Sequence, residues 1–127
     1  MNIKVLIWNE VNPVENHELL NKIQLLEYHQ RLLLTLINNP KQDFYRMIIE
    51  KGLSEQEVRE FMQICDELSI KMEEQKAEGF IYFQPLFTEF LYLLPDKLDS
   101  KEVILACSSQ GLYLPLMKEL NKYIYAD

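Results

Sequence analysis

Between residues 19 and 37, apolar side chains recur in steps that alternate between four and three: Leu19, Ile23, Leu26, Leu33 and Ile37, with Gln30 filling the one gap. A strand would need alternation every second residue. This spacing instead puts all six positions on one side of a helix and forms a heptad seam. A second stripe, Leu25, Leu32 and Leu36 with His29 between, runs beside it. A helix apolar on two flanks ordinarily contacts two neighbours, so the first long element of this chain has to be covered by something. Gln30 sits where a lone polar residue fixes the register of a helical pairing at some cost in stability.

The boundaries of that helix are written in the sequence. Asn12 can cap, Pro13 suits a first helical position, and Glu15 favours the positive end of the helix dipole. The pattern stops at Asn39-Pro40, because the residue before a proline is pushed out of the helical region. Asn39-Pro40 also opens a second helix carrying Phe44, Tyr45, Met47, Ile48 and Ile49, ending at Gly52. Leu53-Ser54-Glu55-Gln56-Glu57-Val58 is a capping box, with Ser54 and Glu57 satisfying each other's backbone donors and Leu53 stapled to Val58. The helix it starts should reach Gly79, with Val58, Phe61, Cys65, Leu68 and Met72 on one face. Phe80-Ile81-Tyr82-Phe83 reads as an extended connector. Pro85 opens a helix with Leu86, Phe87, Phe90, Leu91, Leu93 and Leu94, stopped by Pro95. Asp99 caps another, carrying Val103, Ile104, Ala106 and Cys107 and ending at Gly111. A last helix from about Leu114 or Pro115 to Tyr125 should bury Leu116, Met117, Leu120, Tyr123 and Ile124.

Ahead of all this, Ile3-Lys4-Val5-Leu6-Ile7-Trp8 has strand composition and no partner strand in the chain. An unpaired strand edge attracts another chain. Trp8 would be the anchor if this arm contacts another subunit or a partner protein. The alternative, an arm folded back on its own helices, stands beside it.

Four segments carry a family resemblance: Lys51-Gly52-Leu53-Ser54-Glu55, Ile64-Cys65-Asp66-Glu67-Leu68-Ser69, Gln75-Lys76-Ala77-Glu78-Gly79-Phe80 and Gln110-Gly111-Leu112-Tyr113. In their order and spacing, the stretch from Tyr28 to Ile124 resembles the YhaI-like family of small uncharacterised proteins from Bacillus-type bacteria. The resemblance implies an all-helical fold that self-associates. It brings no activity, cofactor or catalytic residue, and residues 1–18 extend beyond the typical member.

Chemistry is harder to place. The 127 residues are 48% apolar, which supplies a core and excludes wholesale disorder. Twenty acidic against 13 basic side chains, a net charge of −7, argue against binding nucleic acid or anionic membrane by bulk charge. Only three glycines leave no phosphate-cradling loop. The Ser54 box could open a helix-turn-helix, but the long acidic helix after it has no break for a recognition helix. His17 and His29 have no partners at metal-ligand spacing, so no metal is expected; His29 reads as a buried or interface group. Cys65 and Cys107 form no C-x-x-C pair and lie in apolar stripes, the usual setting of inert reduced thiols in a cytosolic protein. Phe80 to Leu94 is too short and too polar to span a bilayer. The rings of Phe80, Tyr82, Phe83, Phe87, Phe90 and Tyr92 could line a small-molecule pocket, or simply a core.

The sequence therefore predicts an all-α protein: a compact array of about six helices over residues 12–127, preceded by a short extended arm over 1–11. The expected function is non-enzymatic, a cytoplasmic protein-interaction or regulatory module without cofactor, metal, nucleic acid or membrane. It would act through helical self-association, most simply as a dimer, and through a possible protein partner. The expected interface is Trp8, Leu19, Ile23, Leu26, Gln30, Leu33 and Ile37. The competing reading is a small-molecule sensor or unrecognised enzyme with an apolar pocket near Phe80–Tyr92.

Overall fold

Prolines and glycines set most of the helix ends. The structure, a computed structural model, describes residues 13–125, with side chains from residue 16 onward. The expected N-terminal arm, the Asn12 cap and the Trp8 anchor lie outside the described residues. Among the described residues are six α-helices, α1 (Pro13–Leu36), α2 (Asp43–Lys51), α3 (Glu55–Ala77), α4 (Gln84–Leu93), α5 (Ser100–Gln110) and α6 (Leu114–Asn121). A 3-10 turn, Pro40–Gln42, precedes α2. The class is all-α. The chain divides between Ile37 and Asn38 into two compact units.

The first unit contributes α1, a helix of 24 residues with Pro13 in its first turn. It ends just ahead of Asn39-Pro40, so Ile37, the last seam position, lies one residue beyond the helix.

The second unit holds the core. The Ser54 box forms as the sequence requires: Glu57 N–H donates to Ser54 Oγ at 3.1 Å, and Ser54 N–H donates to Glu57 Oε1 at 3.0 Å. It launches α3, whose Phe61, Cys65, Leu68 and Met72 form the buried stripe. Around that stripe close Phe44 and Met47 of α2, Leu86, Phe87 and Phe90 of α4, Val103, Ile104 and Cys107 of α5, and Leu116, Met117 and Leu120 of α6. Phe44 stacks on Phe61 with ring centroids 5.6 Å apart, which seats α2 on α3. Helix α5 ends at Gly111, φ 78°, in the left-handed region that only glycine enters cheaply. There Leu112 N–H returns to Cys107 O at 2.8 Å, closing a Schellman turn.

Helix α6 stops at Asn121 rather than running to Tyr125. Lys122 and Tyr123 N–H bond back to Glu119 O and Leu120 O in a tighter turn. This turn points Tyr123 at the start of α4, where its hydroxyl accepts from Phe83 N–H at 2.9 Å. Its ring meets Tyr82 edge-on at 5.9 Å. The same hydroxyl donates to Glu119, the one buried charged residue among those described. Lys122 Nζ completes the carboxylate's partners at 3.2 Å.

Candidate protein-interaction surface

On α1 the seam is open. About 100° of rotation per residue places Leu19, Ile23, Leu26, Gln30 and Leu33 within an arc of about 80°. Ile23, Leu26, Gln30 and Leu33 are exposed, Leu26 at 66% and Leu33 at 60%, while Leu19 and Ile37 are half-buried. The flanking stripe is open too: Leu25, Leu32 and Leu36 are exposed, Leu36 at 79%. The structure thus brings Leu19, Ile23, Leu26, Gln30 and Leu33 onto one helical face. It places Ile37 past the helix end, and Trp8 is outside the described residues. His29, read as a buried or interface group, is exposed because its stripe is uncovered; its ring lies 5.9 Å from that of Tyr28. A hollow of about 310 Å³ opens between His29, Leu32, Leu33 and Leu36. Soluble helices rarely leave this much aliphatic surface in water.

The aromatic cluster behaves differently. Phe83, Phe87 and Phe90 are spent filling the core, and Phe80, Tyr82 and Tyr92 face solvent. The six rings therefore split between inside and outside and do not wall one cavity.

A groove of about 300 Å³ runs between α2 and α5, floored by Met47, Leu105 and Ala106. Four of its five charged lining residues pair with one another, Asp43 being the fifth. Arg46 meets Glu50 at 2.9 Å, and Lys51 meets Glu102 at 2.9 Å, which raises the lysine's pKa. Both of the groove's cations are thus already paired with glutamates.

Two side chains that sequence reasoning passed over hold the α5–α6 corner. Gln110 Oε1 accepts from Phe44 N–H at 2.9 Å and, more weakly, from Tyr45 N–H at 3.4 Å. It caps α2, whose own N-cap residue Gln42 makes no side-chain bond. Tyr113 sits at φ 49°, ψ 41°, a left-handed conformation costing a non-glycine about 1–2 kcal/mol. Its hydroxyl donates to Asp66 Oδ1 at 2.7 Å, with Met62 O also in reach at 3.2 Å. A hydrogen bond to a charged group contributes about 1.5–3 kcal/mol and offsets that strain. Burial, then the bond to Asp66, push the phenol's pKa up. The only sequence hint was Gln110-Gly111-Leu112-Tyr113 as a family segment.

Cys65 and Cys107 are free, fully buried thiols. Burial pushes the Cys107 thiol up to about 12 and Cys65 higher still, so neither is an available thiolate. Among the described residues, no three His, Cys, Asp or Glu side chains are grouped to hold a metal ion. None of the described helices is long and apolar enough to cross a membrane. Helix α3 runs unbroken for 23 residues from the Ser54 box, so that box opens one long helix and no helix-turn-helix.

The sequence profile of a family of unknown function, DUF1878, matches residues 17–125. The match spans most of α1 and every element after it, including the Ser54 cap and the Gln110–Tyr113 corner. By that coverage the chain belongs to the DUF1878 family of proteins of unknown function.

Proposed function

We propose that this chain is a non-enzymatic protein-interaction module that self-associates through α1 and presents the resulting assembly to a protein partner. The observation that carries the reading is the exposed seam of Ile23, Leu26 and Leu33 with its flank of Leu25, Leu32 and Leu36. Fully burying one such side chain is worth about 1.5–3 kcal/mol. A handful from each copy therefore reaches the size of the entropy lost on association, about 4–15 kcal/mol. Trp8 adds an aromatic anchor in this reading. The resemblance of four segments to YhaI-like proteins of Bacillus-type bacteria, which implies self-association, supports the same reading. Two buried, unpaired thiols suit the reducing cytoplasm.

Light scattering on the full chain and two variants tests this. Wild type should give a particle of at least two chains at micromolar concentration. Leu26→Asp should give one chain and retain the helical signal of α2 to α6. Gln24→Lys, exposed on the side of α1 away from both the seam and its flank, should leave the assembly intact. A wild-type particle of single-chain mass overturns the proposal.

A further inference from the structure

The charges bordering the seam say how two copies of α1 meet. With Ile23 and Gln30 at the a positions and Leu19, Leu26 and Leu33 at d, Lys22 falls at g and Glu27 at e, on opposite edges of the seam. We propose that α1 pairs with α1 of a second copy in parallel and in register, Gln30 meeting Gln30 and Lys22 of each copy meeting Glu27 of the other. This rests on the self-association reading and adds orientation and register to it.

Two independent features select this arrangement. The first is Gln30. A glutamine amide carries both donors and an acceptor, so two of them facing each other across a two-fold axis satisfy one another. In an antiparallel pair an a residue packs against d, and Gln30 would face Leu19, Leu26 or Leu33, leaving a desolvated amide without a partner. The second is charge. In a parallel pair, g of one heptad reaches e of the next heptad on the other helix, which is the relation of Lys22 to Glu27, and symmetry makes the contact twice. In an antiparallel pair e meets e, so Glu27 would face Leu20, Leu34 or another Glu27. Lys22 and Glu27 are both exposed on α1. The layers above and below Gln30 then pair like with like: Ile23, Leu26 and Leu33 each against its own copy.

Cysteine cross-linking reads the register directly. Two cysteines bridge only when their Cα atoms lie within about 7 Å, a condition met by facing a positions in a parallel pair. Gln30→Cys in the full chain should form a covalent dimer on mild oxidation. Asn21→Cys, on the far side of α1, should not, and neither should wild type, whose own thiols are buried. Charge exchange gives a second readout. Lys22→Glu should weaken self-association several-fold, and adding Glu27→Lys to it should restore the lost affinity. An assembly of normal mass in which Gln30→Cys fails to cross-link, or in which the double exchange fails to rescue, overturns the parallel register and leaves self-association standing. A single-chain mass for wild type overturns both.

Discussion

Replacing Gln110 with alanine should destabilise the second unit through a helix that lies 66 residues away in sequence. Helix α2 begins without a side-chain cap of its own. Its Phe44 N–H is bonded to Gln110 Oε1 at 2.9 Å; Phe44 is fully buried but the bond is part-buried, so water replaces only part of what the amide supplied when it is removed. Loss of a capping side chain costs about 0.5–2 kcal/mol, and a buried donor left unsatisfied about 1–3 kcal/mol. The weaker Tyr45 bond, at an exposed residue, adds little. We expect a loss of about 1–2 kcal/mol for Gln110→Ala. For a unit of about 90 residues each kcal/mol lowers Tm by about 4–8 °C. Gln110→Glu keeps the acceptor and places negative charge at a helix N-terminus, so it should stay close to wild type despite Asp43 nearby. Thermal melts by circular dichroism at fixed protein concentration measure both. An unchanged Tm for Gln110→Ala, or an equal loss for Gln110→Glu, would refute the capping role.

Ser54→Ala should lower stability by about 1 kcal/mol and leave the assembly mass unchanged, measured by denaturant titration beside light scattering. Glu57 is held below the usual carboxylate range, first by Ser54 N–H and then by Lys97 at 2.9 Å. Its contribution is thus present above the unfolded value and lost as pH falls through the lowered folded value; Glu57→Gln should flatten that acid limb of the stability curve. Cys65 and Cys107 should react slowly with thiol reagents in the native state and fast once unfolded, and Cys65→Ala should cost on the order of 1 kcal/mol.

The features legible in the sequence are those whose causes lie within a few residues. The Ser54 box, the Asp99 cap and the Gly52 and Gly111 helix ends each involve neighbours in the chain, and each forms as read. The α3 stripe was also readable, because helical periodicity is local and burial follows it. Gln110 and Tyr113 were not readable as structural anchors. Their partners, Phe44 and Asp66, come close only after the helices pack. The early end of α6 has the same origin: Tyr123 leaves the helix to meet Phe83, and nothing beside it in sequence marks that turn. The seam on α1 is the converse case. Its pattern was plain and its residues do share a face, yet what covers that face is not written in the spacing alone.

Hydrogen exchange along α1 as a function of protein concentration tests the central claim most directly. Helices in proteins owe most of their stability to the packing of an apolar face, so the amides of α1 should exchange quickly unless the seam is covered. At high micromolar concentration the amides around Leu26 and Leu33 should be protected, and that protection should fall on dilution while the amides of α3 and α5 keep theirs. Rapid exchange of α1 at every concentration, or protection that does not change with dilution down to single-chain mass, would contradict the account.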